Sequence, residues 1–134
     1  MLSANRGPIV VRASAVLTNS YVAGTVISGE DTSMYRNMKI LLNFTKGSLT
    51  TAEIKVEFSW DGTNYYQETA ESTSGGVITR TVAYHQLSAT GLYWLSFTNV
   101  CAPYIKISVQ GTGTVTNSLI TVDAVLFNDV AFSF

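Results

Sequence analysis

Apolar and polar residues alternate along most of this chain, in short segments separated by turn-forming residues. The clearest segment is 52–60, where apolar residues at the even positions oppose Glu53, Lys55 and Glu57. A period of two places successive side chains on opposite faces of a strand. Asp61-Gly62 then has the residues of a tight hairpin turn, and residues 64–68 are the expected return strand. The pattern therefore predicts half-buried antiparallel strands.

The same alternation predicts further strands along the chain. They cover 9–17, 21–27, 36–45, 77–84, 91–98, 103–110 and 119–127. Residues 71–76, rich in Ser, Thr and Gly, are expected to form a flexible loop. No long segment has the 3.6-residue period of a helix. The expected fold is all-β, a two-sheet antiparallel β-sandwich that is either jelly-roll-like or immunoglobulin-like.

The length of 134 residues fits a single domain. We expect residues 1–8 to form an extended N-terminal arm and residues 9–134 to form the sandwich. No apolar run approaches the roughly 20 residues that a membrane-spanning helix needs. The N-terminus also lacks the hydrophobic stretch of a signal peptide. We therefore expect no membrane association.

Charged side chains are scarce, at 13% of residues compared with about 25% in typical soluble domains. Hydrophobic residues make up 46%, and 17 Thr, 14 Ser and 8 Asn residues provide much of the polar surface. Because charge normally opposes association, we expect part of the surface to be covered by other copies or by a partner. A monomer with a Ser/Thr-rich surface is the alternative. The net charge of −1 predicts no nucleic-acid binding.

The sequence contains no recognisable catalytic constellation. His85 is the only histidine and Cys101 the only cysteine, so clusters of imidazoles or thiolates are impossible within one chain. Nucleophile-elbow, phosphate-loop and dinucleotide-binding motifs do not occur. We therefore expect no enzymatic activity, no cofactor and no metal. A calcium ion bound by Asp61 or by Glu30-Asp31 stays open as an alternative.

Four apolar residues are predicted to face outward from their strands. Leu92 and Trp94 alternate with apolar neighbours that face inward, and the same holds for Val125 and Phe127. A strand that is apolar on both faces is either buried on both sides or in contact with another subunit. Of the four, Trp94, Val125 and Phe127 are therefore the candidates for a protein interface.

A second aromatic group surrounds the hairpin turn at Asp61-Gly62. It consists of Trp60, Tyr65 and Tyr66. Such rings can pack in the core, contact another protein, or stack on the CH faces of a sugar. We keep all three interpretations, and the third makes these residues a candidate glycan-binding platform.

Two segments of the sequence resemble those of a known class of proteins. Residues 56–65, Val-Glu-Phe-Ser-Trp-Asp-Gly-Thr-Asn-Tyr, resemble the strand, Ser-x-Asp-Gly and x-x-Tyr/Phe hairpin of small β-sandwich proteins from tailed bacteriophage particles. Residues 102–116 resemble the later Pro-Tyr-hydrophobic-Arg/Lys strand and its Gly-Thr-Gly-Thr continuation in the same proteins. The class includes capsid decoration (cement) proteins, head fibres and tail-associated sandwiches. The pattern of residues 56–65 also occurs in carbohydrate-binding and adhesion modules.

The resemblance implies a non-enzymatic virion protein, made in the host cytoplasm and placed on the capsid exterior. A decoration protein of this kind would form a homotrimer and bind the major capsid protein or another virion protein. Around the sandwich, Asn5, Arg6 and Pro8 of the arm and Phe132 and Phe134 of the apolar C-terminal tail would add contacts. The alternative function is a tail, fibre or carbohydrate-binding module that recognises a host surface glycan.

Overall fold

The computed structural model describes residues 5–29 and 32–128, and nearly all the regular secondary structure in these ranges is β-strand. One turn of 3-10 helix, Thr32–Met34, is the only helical segment among them. The described strands are β1 Asn5–Val16, β2 Val22–Ala23, β3 Asn37–Thr45, β4 Leu49–Ser59, β5 Tyr65–Gln67, β6 Thr69–Ser74, β7 Val77–Val82, β8 His85–Leu87, β9 Gly91–Phe97, β10 Tyr104–Gly113 and β11 Leu119–Phe127.

These strands form two large antiparallel sheets and a separate hairpin. Sheet A has the order β1-β11-β3-β9, and sheet B has the order β2-β10-β4-β5. Strands β5 and β8 pair with the same edge of β4. Strand β5 pairs with residues 57–59, and β8 pairs with residues 52–54. If β5 and β8 are counted as one interrupted strand, each sheet has four strands, as in a double-sheet jelly roll. The all-β sandwich is thus confirmed, and the strand order selects the jelly-roll-like alternative.

The core lies between sheets A and B and follows the predicted alternation. Strands β3 and β11 bury every second residue, and β4 and β10 do the same from the opposite sheet. Burying one face of each sheet against the other removes apolar side chains from water, which favours folding by about 25 cal/mol per Å². The central residues are Met38, Ile40, Leu42, Phe44, Ala52, Ile54, Val56, Ile105, Ile107, Val109, Ile120, Val122, Ala124 and Leu126.

The predicted boundary between the N-terminal arm and the first strand is wrong. Strand β1 begins at Asn5, which pairs with Phe127, and the next pair joins Arg6 to Leu126. Residues 5–8 therefore belong to sheet A, because β11 offers an edge that extends beyond Ile9. Residues 1–4 lie outside the described residues.

The predicted flexible loop at residues 71–76 is also wrong. Residues Thr69–Ser74 form β6, which pairs with β7 through a two-residue Gly75-Gly76 turn. Both glycines have positive φ, 59° and 78°, as expected for a tight hairpin turn that requires this conformation twice. All six residues of each strand are exposed. The hairpin thus projects from the sandwich and is not packed into it.

Candidate interaction surface

The outer face of sheet A carries a shallow apolar groove. The pairing register places Asp123 beside Leu41 and Leu41 beside Trp94, so that one row crosses three strands. A second row is formed by Thr121, Asn43 and Leu92. Together these residues line a groove of about 420 Å³, which we call the sheet-A groove.

Large apolar side chains of the sheet-A groove are open to solvent. Leu92 is 80% exposed and Trp94 is 62% exposed. The ammonium of Lys39 lies 3.8 Å from the centre of the Trp94 ring, a cation–π distance that holds the indole against the sheet. Val125 and Phe127 continue the same outer face along β11 and are half-buried. The predicted outward orientation of Trp94, Val125 and Phe127 is therefore observed.

Asp123 supplies a carboxylate in this apolar environment. It lies in β11 between Val10 of β1 and Leu41 of β3, and it is half-buried. Within the described part of the chain, its side chain takes part in no hydrogen bond or salt bridge. A carboxylate partly removed from water and without a partner is stabilised when a cation or N–H donor approaches it.

The outer face of sheet B has the opposite character. Glu53 accepts hydrogen bonds from the side-chain amides of Gln110 at 2.7 Å and Gln86 at 3.3 Å. Lys55 lies 3.7 Å from the carboxylate of Glu57. The polar groups of this face are thus satisfied within the chain. By contrast, the outer face of sheet A exposes the large apolar side chains of Leu92 and Trp94 to solvent.

Among the predicted contact residues of the N-terminus, Arg6 makes hydrogen bonds within its own chain. The guanidinium of Arg6 donates to the hydroxyl of Thr32 and, at 2.8 Å, to the carbonyl of Ser28. This links β1 to the segment that precedes β3. Asn5 and Pro8 are exposed members of β1. The predicted tail contacts Phe132 and Phe134 lie outside the described residues.

The predicted aromatic platform is divided by the sheet. Tyr66 pairs with Phe58 and Tyr65 pairs with Ser59, so the two tyrosines point to opposite faces of β5. Trp60 and Tyr66 together line a cleft of about 540 Å³ that Cys101 also lines. Tyr65 instead lies against Lys106, whose ammonium is 4.1 Å from the ring centre. Only Trp60 and Tyr66 remain available to one ligand.

Hydrogen bonds to Asp61 hold the turn that presents Trp60. One carboxylate oxygen accepts from the backbone N–H groups of Thr63 and Asn64, both at 2.8 Å, and the other accepts from the Asn64 amide at 2.8 Å. The bonds from Asn64 and Thr63 hold the pKa of this carboxyl well below its usual range. The predicted role of Asp61 in a hairpin turn is confirmed, since β4 and β5 pair on either side of it.

Leu41 and Asp123 were not predicted from the sequence as contact residues, and Leu92 was predicted to face outward without being selected as one. A usable signal was present for Leu41, which lies between the outward positions Lys39 and Asn43 in a strictly alternating strand. An apolar residue at an outward position indicates a contact surface in the same way that an outward tryptophan does. For Asp123 the local sequence carries no such signal, because its neighbours come from other strands.

The described residues contain no group of three His, Cys, Asp or Glu side chains arranged to bind a metal ion. His85 lies 2.9 Å from the Glu68 carboxylate and packs edge-on against Phe97. In the described ranges, no helix is long and apolar enough to cross a membrane.

The two four-stranded sheets define a jelly-roll-like β-sandwich, in which the outer face of sheet A exposes Leu92 and Trp94. No protein-family model matches the chain, and no curated protein matches its sequence. Among solved structures, the SPBc2 prophage-derived protein YomS is similar over 96% of both chains, with a TM-score of 0.54 and 16% sequence identity. At this identity the likeness is one of fold.

Proposed function

We propose that this protein is a non-enzymatic structural component of a tailed-phage particle, a capsid decoration protein that self-associates and binds the assembled shell. The observation that carries the proposal is the apolar outer face of sheet A, with Leu92 and Trp94 exposed above Leu41. An apolar patch of this kind typically marks a protein contact. The scarcity of charge and a fold shared with a prophage-derived protein give further support.

Self-association would make weak contacts with a shell effective. When several copies are joined, binding of the first copy raises the effective concentration of the others near their sites. A protein that binds only the assembled shell stabilises that shell by mass action. A homotrimer that bridges neighbouring capsomers on the capsid exterior meets both requirements.

Replacing Trp94 with Asp is expected to dissociate the oligomer, because the change places a charge where an apolar contact is made. Truncation of an interface hot spot, a class enriched in tryptophan, costs about 2 kcal/mol or more, which is about 30-fold in the dissociation constant. Light scattering at several concentrations measures this as a fall from about three times 14.5 kDa to the mass of one chain.

The matched control is Tyr66→Asp, since Tyr66 is 67% exposed but lies in the Trp60 cleft. It should leave the mass unchanged. Capsids made without the protein should regain heat resistance with the wild type and with Tyr66→Asp, but not with Trp94→Asp. A wild-type monomer that neither associates nor protects capsids would contradict the proposal.

A glycan-binding module is the second candidate function, favoured by the cleft between Trp60 and Tyr66. If it is correct, Trp60→Ala should abolish binding on a glycan array, because stacking on the exposed indole is lost. Tyr65→Ala is the control and should bind as the wild type does, since Tyr65 lies on the other face of β5. Absence of wild-type binding across the array would count against this function.

A further inference from the structure

The β6–β7 hairpin projects into solvent from the edge of sheet B. It leaves the sandwich between β5 and β8, where the Ala83 N–H donates to the Glu68 carbonyl at 2.9 Å. The Glu68 side chain is also held by His85 at 2.9 Å. The base of the hairpin is therefore anchored. Beyond it, both strands are exposed along their whole length.

One face of this hairpin is suited to contact another surface. Ile78, Arg80 and Val82 alternate along β7 and so point to the same side. Arg80 pairs with Glu71 across the hairpin, at 3.0 Å between guanidinium and carboxylate. The opposite face carries Thr79. A two-stranded hairpin alone is marginally stable in water and gains stability when an apolar face packs against another element.

We infer that the β6–β7 hairpin of one copy docks in the sheet-A groove of a neighbouring copy, with Arg80 facing the Asp123 carboxylate and with Ile78 against Trp94. The inference rests on the self-association in the proposed function and names the segment that makes the contact.

Charge complementarity favours this occupant of the groove. Asp123 is a half-buried carboxylate without a hydrogen bond or salt bridge in the described part of the chain. Arg80 is an exposed cation at the middle of an apolar strand face, and it can reach a carboxylate while keeping the bond to Glu71 because guanidinium has five donors. Lys39 lies beside the groove, over the Trp94 ring, so each surface has one acid and one base.

Reach and symmetry are consistent with a contact between copies. Each strand of the hairpin has six residues, so the hairpin extends about 20 Å at roughly 3.3 Å per residue. Both strands are exposed, so the hairpin does not occupy the groove of its own chain. When a contact between two different surfaces repeats head-to-tail, it closes into a ring, such as a trimer, if the rotation between neighbouring copies closes.

Charge reversal tests the pairing directly. Arg80→Glu and Asp123→Arg should each raise the dissociation constant for self-association by at least about tenfold, because like charges then meet at the contact. The double variant should return it to within about threefold of the wild type. The control Thr79→Glu adds the same charge to the other face of β7 and should have little effect. Sedimentation over a concentration series gives the constants.

Cysteine cross-linking tests the same contact without relying on charge. In a Cys101→Ala background, Arg80→Cys and Asp123→Cys proteins should form a cross-linked dimer when mixed and treated with a short bis-maleimide, which spans the gap that an Arg–Asp pair leaves between two cysteines, but neither should form it alone. An oligomer that persists without charge rescue and without this cross-link would overturn the hairpin contact and leave the proposed self-association standing. A wild-type monomer at every concentration would overturn both.

Discussion

Replacement of Phe44 by alanine is expected to lower the free energy of unfolding by about 3–5 kcal/mol. Phe44 is 1% exposed and lies in β3, where it pairs with Ile120 on one side and Gly91 on the other. Removing the ring leaves a cavity between two sheets that are each tied into a hydrogen-bonded ladder. Collapse around the cavity is therefore limited, and the lost packing is not recovered.

Urea unfolding, followed by tryptophan fluorescence or circular dichroism, measures the effect of Phe44→Ala. The control is Trp60→Ala, which removes an aromatic ring that is 71% exposed. A surface truncation of this kind changes stability by about 0.5 kcal/mol or less. Equal losses in the two variants would show that Phe44 is not part of a packed core.

The second large effect is expected for Gly47→Ala, in the turn between β3 and β4. Gly47 has a φ of +60°, and an added Cβ would lie 2.4 Å from the carbonyl oxygen of Thr116. The left-handed backbone costs an alanine about 1–2 kcal/mol, and overpacking adds about 1–3 kcal/mol. We therefore expect a loss of about 2–5 kcal/mol.

The turn cannot easily move away from this clash. The N–H of Ser48 donates to the Thr116 carbonyl at 3.1 Å, and the buried hydroxyl of Ser118 donates to the Lys46 carbonyl at 2.5 Å. Moving the turn away from Thr116 would break these hydrogen bonds and leave buried polar groups without partners, which adds to the loss of stability.

The variant Gly75→Ala separates the cost of the left-handed backbone from the cost of overpacking. Gly75 has a φ of +59°, almost the same as Gly47, but no atom lies within 4 Å of an added Cβ. It should therefore show only the backbone cost, confined to the tip of the β6–β7 hairpin. Thermal or urea denaturation of both variants gives the comparison. If Gly75→Ala destabilised the protein as much as Gly47→Ala, close packing at Gly47 would not be the cause.

Strands with a buried face were predicted well from their sequence. Residues 119–127 match β11 in full, and the predicted range 36–45 differs from β3 only at its first residue. The reason is that a strand at the core must alternate apolar and polar residues, whichever strands lie beside it. The outward direction of Trp94 follows from the same local rule.

Two largely exposed segments, residues 69–74 and 5–8, were predicted poorly. Residues Thr69–Ser74 form a strand although every one of them is exposed. No hydrophobic period marks such a segment, and its conformation depends on the ladder with β7. The N-terminal residues from Asn5 likewise became part of β1 because β11 provides the edge with which they pair.

The sequence by itself determined the secondary structure of the core, the all-β class and the side of each strand that faces outward, because these depend on neighbours within a few residues. The tertiary structure decided which outward residues meet. Asp123, Leu41 and Trp94 are distant in sequence and form one row only because β11, β3 and β9 are adjacent in sheet A. Tyr65 and Tyr66, by contrast, are separated by the local alternation of successive residues in β5. Strand order reflects the packing of the whole chain, and no local pattern encodes it.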